Sequence, residues 1–351
     1  MSAYLHAIGT AVPEHDIHDA FLAWAQARVA ESARPVFGSM ARRSGIRHRW
    51  SVLPKAPGGG SPIDPGGFYD ADPLPGTGDR MAVYSREAPR LALNAVRDLG
   101  CRVDLGGITH LVVASCTGFV APGIDQIIAA ELRLEGVERL LVGFMGCYAA
   151  VAALRSARHI VRSEPGARVL VVTVELSTLH LQPATAIEPL LAMLQFGDGA
   201  AAALVTAEPG GLVLDRPFAA TLPDSAALIR WDITDRGFAM HLSGEVPGRI
   251  GAALADPAFA ARVTGGRAVD GWAVHAGGRS ILDAVQQALT LDGDALDASR
   301  GVLDDNGNMS SATLMFVLQR LLGGPPVEHG VALAFGPGLA AEGFAFRSAR
   351  C

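Results

Sequence analysis

The chain matches itself at an offset of 161 residues. At that shift Met145-Gly-Cys-Tyr-Ala-Ala-Val-Ala-Ala falls on Asn306-Gly-Asn-Met-Ser-Ser-Ala-Thr-Leu, so Cys147 lies over Asn308. The same shift lays Val169 to Val174 over Gly330 to Phe335, and the run around Val112 over Trp272-Ala-Val-His275. Three ungapped matches in one register predict two similar βα units related by pseudo-symmetry, each opening a helix at a shared centre. Within the first unit, Thr109 to Ala114 and Ala167 to Val174 read as buried strands and Tyr148 to Arg162 as a helix. Such alternation predicts an α/β fold. The segment from Pro54 to Gly78 is crowded with Pro, Gly and Asp and reads as a long surface excursion. Gly323-Gly324-Pro325-Pro326 marks the end of a helix.

At 351 residues with half of them apolar, there is ample apolar surface for a large core. Lys and Arg number 29 against 35 Asp and Glu, and a net charge of -6 argues against a nucleic-acid partner. No apolar run approaches the roughly 20 residues of a bilayer span, and Glu14 and Asp16 interrupt the start before any secretory pattern develops. A cytoplasmic protein is the expectation. Cys101, Cys116, Cys147 and Cys351 form no CxxC pair and sit at no metal spacing, which predicts free thiols and no metal site.

Cys147 ends Gly143-Phe-Met-Gly-Cys ahead of an amphipathic helix whose far end carries Arg155, Arg158 and Arg162. Unpaired N–H groups and the dipole at the near end predict a lowered thiol pKa and a nucleophile; a small buried hydrophobe fits the position as well. His275 closes a buried strand at Ala276-Gly277-Gly278, a common place for site residues in α/β folds, although a hydrogen-bonded core histidine also sits there. Asn308 fits an N-cap or an amide aimed into a cavity. The glycines of Ala334-Phe-Gly-Pro-Gly-Leu339 do not follow a nucleotide-phosphate spacing.

Together, GFMGCYAA around Cys147, WAVHAGGRSILDAV around His275, GNMSSATLMFVL around Asn308 and the late AFGPGL resemble the type III polyketide synthases, the chalcone synthase-like branch of the thiolase-like condensing enzymes. The resemblance implies a thiolase-like αβαβα fold in two pseudo-repeated halves, 1–208 with the cysteine and 209–351 with the histidine and asparagine. It implies an acyltransferase that holds an acyl starter on Cys147 and condenses malonyl-CoA onto it with loss of carbon dioxide, before cyclisation to a pyrone or phenol. His275 would pair with the thiolate and, with Asn308, bind the enolate oxygen. CoA thioesters are the substrates, no cofactor is tightly bound, and a homodimer is expected.

By the same resemblance Phe196 and Met240 match gatekeeper positions, and Cys116, His180, Trp231 and Ser310 line the cavity. Arg43, Arg47, Arg279 and Gly278 lie where the family binds CoA, amid the wider basic group of Arg42 and Arg49. Ala121 stands where plant members carry a methionine that crosses the dimer. Two alternatives remain open: a ketoacyl carrier-protein synthase III-like enzyme, whose histidine motif usually reads HQAN, and a non-catalytic acyl-CoA-binding protein of the same fold. Hydroxymethylglutaryl-CoA synthases are more distant, since their catalytic glutamate has no counterpart that the sequence places.

Overall fold

The computed structural model describes residues 1–349, so the expectation for Cys351 lies outside the described residues. In the first part of the chain come β1 (Ala3–Ala11), β2 (His15–Asp16), α1 (His18–Arg28), α2 (Arg34–Arg42), β3 (Trp50–Ser51), α3 (Thr77–Gly100), β4 (His110–Ser115), α4 (Ile124–Glu131) and β5 (Glu138–Gly143). There follow α5 (Ala149–Ser163), β6 (Val169–Leu176), α6 (Ile187–Gln195), β7 (Asp198–Thr206), β8 (Leu212–Thr221), β9 (Ile229–Thr234) and β10 (Gly237–Leu242). The remainder holds α7 (Val246–Ala255), α8 (Pro257–Thr264), β11 (Gly271–Val274), α9 (Arg279–Ala288), α10 (Asp297–Asn306), α11 (Ser311–Leu322), β12 (Gly330–Gly336) and β13 (Ala340–Ser348).

Nine strands make one mixed sheet in the order β11-β12-β13-β8-β1-β7-β6-β4-β5. Read outward from the β1–β8 junction, the halves repeat: β7 matches β13, β6 matches β12 and β4 matches β11. Only β5 has no counterpart. The offset seen in the sequence therefore becomes a pseudo-two-fold relation between β4–α5–β6 and β11–α11–β12. Both strand pairs run parallel, and the Val- and Leu-rich β4 and β6 are buried along their whole length, as strands covered on both faces must be.

Helices α5 and α11 form the middle layer, packed against strands of both halves in a central apolar core. Helices α3 and α4 cover the outer face of the first half, and α7, α9 and α10 that of the second. The result is the five-layer αβαβα arrangement. Small residues set the layer spacing: Ala200 to Ala203 of β7 are fully buried, and a Cβ on Gly9 of β1 would stand 2.2 Å from the Leu99 backbone nitrogen of α3. The α5 and α11 ends fall within a residue or two of the punctuation in the sequence, the latter just before Gly323.

The Pro- and Gly-rich 54–78 segment runs over the surface as expected, but single residues anchor it. Tyr69 and Leu74 are buried in the core, and the Tyr69 hydroxyl donates to the Thr178 carbonyl at 2.8 Å. Apolar anchors spaced several residues apart pull the loop inward although it has no period. No helix among the described residues is long and apolar enough to cross a membrane.

Candidate active site

Cys147 stands at the turn from β5 into α5. Phe144 (φ 54°) and Gly146 (φ 85°) take left-handed conformations there, and a Cβ on Gly146 would press to 2.4 Å from Pro337. The GPG loop of the second half thus seats the nucleophile turn of the first. His275 follows β11 directly, its N–H donating to the Leu333 carbonyl at 2.8 Å. Asn308 lies between α10 and α11 and is pinned on both sides of its backbone: its N–H donates to the Gln195 carbonyl (2.7 Å) and its carbonyl accepts from Gly197 (3.1 Å). Asn308 Oδ1 accepts from Ser310 N–H at 2.8 Å. With that oxygen engaged, the Nδ2 group is left to donate, to the Gly277 carbonyl at 3.3 Å and towards Cys147.

All three side chains line one mostly apolar cavity, together with Cys116, Phe196, Met240, Trp231 and Ser310. A second apolar chamber adjoins it, lined by His180, Phe238, Tyr69 and Met193 among others. Ser177, Phe196, Trp231 and Met240 are common to both. Phe196 and Met240 therefore stand between two inner chambers, and His180 belongs to the second one. The His180 ring stacks on Phe238 (4.2 Å between centroids) and donates from Nε2 to the Thr117 carbonyl (2.7 Å), while Nδ1 accepts from Phe238 N–H (3.1 Å). Trp231 meets both rings edge-on and donates from Nε1 to the Cys116 carbonyl at 2.9 Å.

The thiol does not behave as its place at the end of α5 predicts. Burial pushes the Cys147 pKa up to about 11; hydrogen bonds from Ser310, Asn308 and its own backbone act to lower it, while the charge of Glu175 adds to the rise. The helix end favours the thiolate, but the loss of its hydration on burial outweighs that effect here. His275 is buried, neither ring nitrogen has a hydrogen-bond partner, and burial holds its pKa down to about 3. Burial thus favours a neutral thiol and a neutral imidazole, whose ring nitrogens are free to accept a proton.

Glu175 is the residue the sequence reading missed. It is fully buried, accepts from Cys116 N–H (3.0 Å), the Thr117 hydroxyl (2.9 Å) and the Ser311 hydroxyl, and burial raises its pKa. Cys116 Sγ lies 3.3 Å from this carboxylate and 3.1 Å from Ser310 Oγ. Burial, with the Glu175 charge next, keeps that thiol protonated. The available signal was one acidic residue inside the otherwise near-apolar Val-Leu-Val-Val-Thr-Val-Glu-Leu of β6.

Arg43 and Arg279 share an open surface depression with Met40, Gln195 and Ser280, next in sequence to cavity residues Phe196 and Ile281. Gly278 caps α9 beside them, and a Cβ there would meet Gln195 Oε1 at 3.1 Å. Arg47 does not join the group. Its guanidinium is engaged by Asp304, through Nε at 2.7 Å, and by Asp305 at 3.5 Å. Arg49 is buried beneath Phe196 and is no surface cation.

Residues 1–209 match the model of the chalcone and stilbene synthase N-terminal domain, and 214–350 that of the C-terminal domain. Among characterised relatives, type III polyketide synthase A of Arabidopsis thaliana is 32% identical over 296 residues, covering 77% of this chain and 73% of its own. The alpha-pyrone synthesis polyketide synthase-like Pks18 of Mycobacterium tuberculosis is 33% identical over 285 residues, 76% of this chain and 72% of its own. The crystal structure of PKS-I from the brown alga Ectocarpus siliculosus superposes with a TM-score of 0.87 at 28% identity, over 99% of this chain and 98% of that one. The C-terminal type III polyketide synthase domain of the Dictyostelium type I/III hybrid Steely1 gives 0.88 at 25% identity, over the full length of both chains. These relatives favour neither the carrier-protein synthase nor the non-catalytic alternative. Matched along both halves and in fold to such enzymes, the chain belongs to the chalcone and stilbene synthase family and is a type III polyketide synthase.

Proposed function

We propose that this enzyme is an acyltransferase that loads an acyl group from CoA onto Cys147, extends it with malonyl-CoA and releases a cyclised polyketide. The observation that carries the reading is the convergence of Cys147, His275 and Asn308 on one cavity, with both imidazole nitrogens unpartnered. In loading, the Cys147 proton passes to His275 and stays there as Sγ attacks the starter thioester, and the CoA thiolate leaves and takes a proton from solvent. In extension, the malonyl thioester oxygen lies between a His275 N–H and Asn308 Nδ2. Loss of carbon dioxide moves its electron pair into an enolate, which those two donors stabilise. The enolate carbon attacks the Cys147 thioester, lengthening the chain by two carbons and freeing the thiolate, which is reprotonated at His275 before the extended chain returns to Cys147.

Finer points follow as part of the same proposal. Arg43 and Arg279 would meet the CoA phosphates at the surface depression. The apolar lining of the second chamber suits the hydrocarbon end of a starter, and the name of the mycobacterial relative supports closure to an α-pyrone. A homodimer is supported by the outer edge of β5, where Leu140 (42%) and Leu141 (46%) are exposed close to the half-exposed Phe119. Such an open apolar edge is a template for pairing, and a two-fold axis makes a strand antiparallel to its own copy.

The test is incubation with malonyl-CoA and a panel of acyl-CoA starters, wild type beside Cys147→Ala and Asn308→Ala, with products read by mass spectrometry. Pyrones or phenols from the wild type alone are expected. Turnover that survives Cys147→Ala, or that requires malonyl carrier protein, would overturn the proposal.

A further inference from the structure

Beneath the wall of the catalytic cavity lies a buried arginine that the reaction scheme does not use. Arg49 is 2% exposed. Its Nε donates to His18 Nδ1 at 3.2 Å, its Nη1 to the carbonyls of Met193 (3.2 Å) and Phe196 (2.9 Å), and its guanidinium lies over the Phe21 ring at 4.5 Å. Nη2 has no partner. Desolvation holds its pKa down to about 9 although the charges of Asp16 and Asp198 act to raise it, and no carboxylate among the described residues bonds to the guanidinium, so the cation is costly to bury. Retaining it calls for a role that an apolar side chain would not fill.

That role is legible in what the guanidinium grips. The Phe196 carbonyl it holds belongs to the short bridge with Asn308, in which Gln195 and Gly197 on either side make the two backbone hydrogen bonds to that residue. Arg49 also touches the Asn308 side of the bridge: a Cβ on Gly307 would stand 3.0 Å from its Cγ. The neighbouring backbone is tied to the same loop from outside, since Arg47 and His48 N–H both donate to the Asp304 carbonyl and Trp50 Nε1 to that of Asp305. One side chain thus fixes the backbone that sets both the chamber-dividing ring of Phe196 and the amide of Asn308.

We infer that Arg49 is a positioning residue for decarboxylation. It holds the Phe196–Asn308 bridge so that Asn308 Nδ2 sits where the enolate oxygen forms. The inference rests on the proposed role of Asn308. Because a donor displaced by a fraction of an ångström loses much of its effect on the transition state while substrate binding is spread over many contacts, Arg49 acts on kcat rather than KM. Loading of Cys147 uses the thiol and His275, neither of which Arg49 holds, and is spared.

The experiment measures malonyl-CoA decarboxylation and starter loading for wild type, Arg49→Lys, Arg49→Met and Asn308→Ala, each normalised to the titrated Cys147 thiol of folded protein. For Arg49→Lys the decarboxylation kcat is expected to fall about tenfold or more, with KM for malonyl-CoA within about twofold and loading within about threefold. Arg49→Met is expected to fall at least as far. The inference is overturned if kcat is unchanged, if kcat and loading fall together in step, or if neither variant folds, which would make the residue purely structural. If Asn308→Ala decarboxylates like the wild type, the reading of Asn308 fails instead; if only Asn308→Ala is impaired, that reading stands and the inference about Arg49 falls alone.

Discussion

Replacing Glu175 by Gln keeps its shape and removes the one buried negative charge that raises the Cys147 pKa. The carboxylate lies 3.3 Å from Cys116 Sγ, which lies 3.1 Å from Ser310 Oγ, and Ser310 in turn bonds to Cys147. Folded along that path, hydrogen-bond lengths put the charge about 8 Å from the Cys147 sulfur. At an effective dielectric constant of about 20 the repulsion is about 2 kcal/mol, or about 1.5 pKa units. A nearby negative charge opposes the thiolate, so its removal brings the Cys147 pKa down from about 11. At about pH 8 the thiolate fraction rises about thirtyfold, its intrinsic nucleophilicity falls with its basicity, and the net gain in rate with a neutral disulfide probe is about sevenfold. The assay follows modification of the Cys147 peptide by mass spectrometry, which separates it from Cys101 and Cys116. The substitution also costs stability. An amide offers one acceptor oxygen to the donors that Cys116, Thr117 and Ser311 direct at the carboxylate, and each donor left unpaired costs about 1–3 kcal/mol. A Cys147 rate that is unchanged or slower in folded Glu175→Gln protein would refute the reasoning.

In the wild type, with Cys147 at about 11 and His275 at about 3, the probe rate without substrate is expected to climb about tenfold per unit from about pH 6 to 9; a plateau beginning near pH 6 would reveal a preformed ion pair. Trp231→Ala opens the wall between the chambers and frees the Cys116 carbonyl. It is expected to lengthen the principal product by at least one malonyl unit at a cost of about 3 kcal/mol in stability, checked by product mass and chemical denaturation; products of unchanged length would show that the wall does not limit growth. Leu140→Glu puts a charge on the exposed β5 edge, and light scattering is expected to report half the wild-type mass; an unchanged mass would place the dimer contact elsewhere or exclude it.

The three residues proposed to carry the chemistry were legible because each stands beside an element boundary written in glycine and small residues: GFMGC, HAGG and GNMSS. Their convergence was legible because a constant offset survives in the spacing. The protonation states were not, since they depend on how thoroughly the cavity excludes water, which no local pattern records. Glu175 was hidden for the opposite reason: its partners Cys116, Thr117 and Ser311 come from distant segments, so its neutralising donors cannot be read beside it. Arg47 and Arg49 looked alike as members of one basic run. Asp304 captures the first at the surface, and Phe21 and the Phe196 carbonyl take the second inside. The 54–78 loop was legible as a surface excursion but its anchors were not, because composition reports the absence of a period and says little of single residues such as Tyr69.

The junction of β1 with β8 bears on how the chain is made. β1 precedes the other described strands in synthesis, yet its ladder partners are β7, which begins at Asp198, and β8, which begins at Leu212. At about 5–20 residues per second, its neighbours arrive about 10–40 s later. Through that interval α3 can rest on one face of β1 while both of its hydrogen-bonding edges stay open. High contact order is thus concentrated in the strand that joins the two halves. Shielding of that strand's open edges during synthesis thus bears directly on the yield of native enzyme.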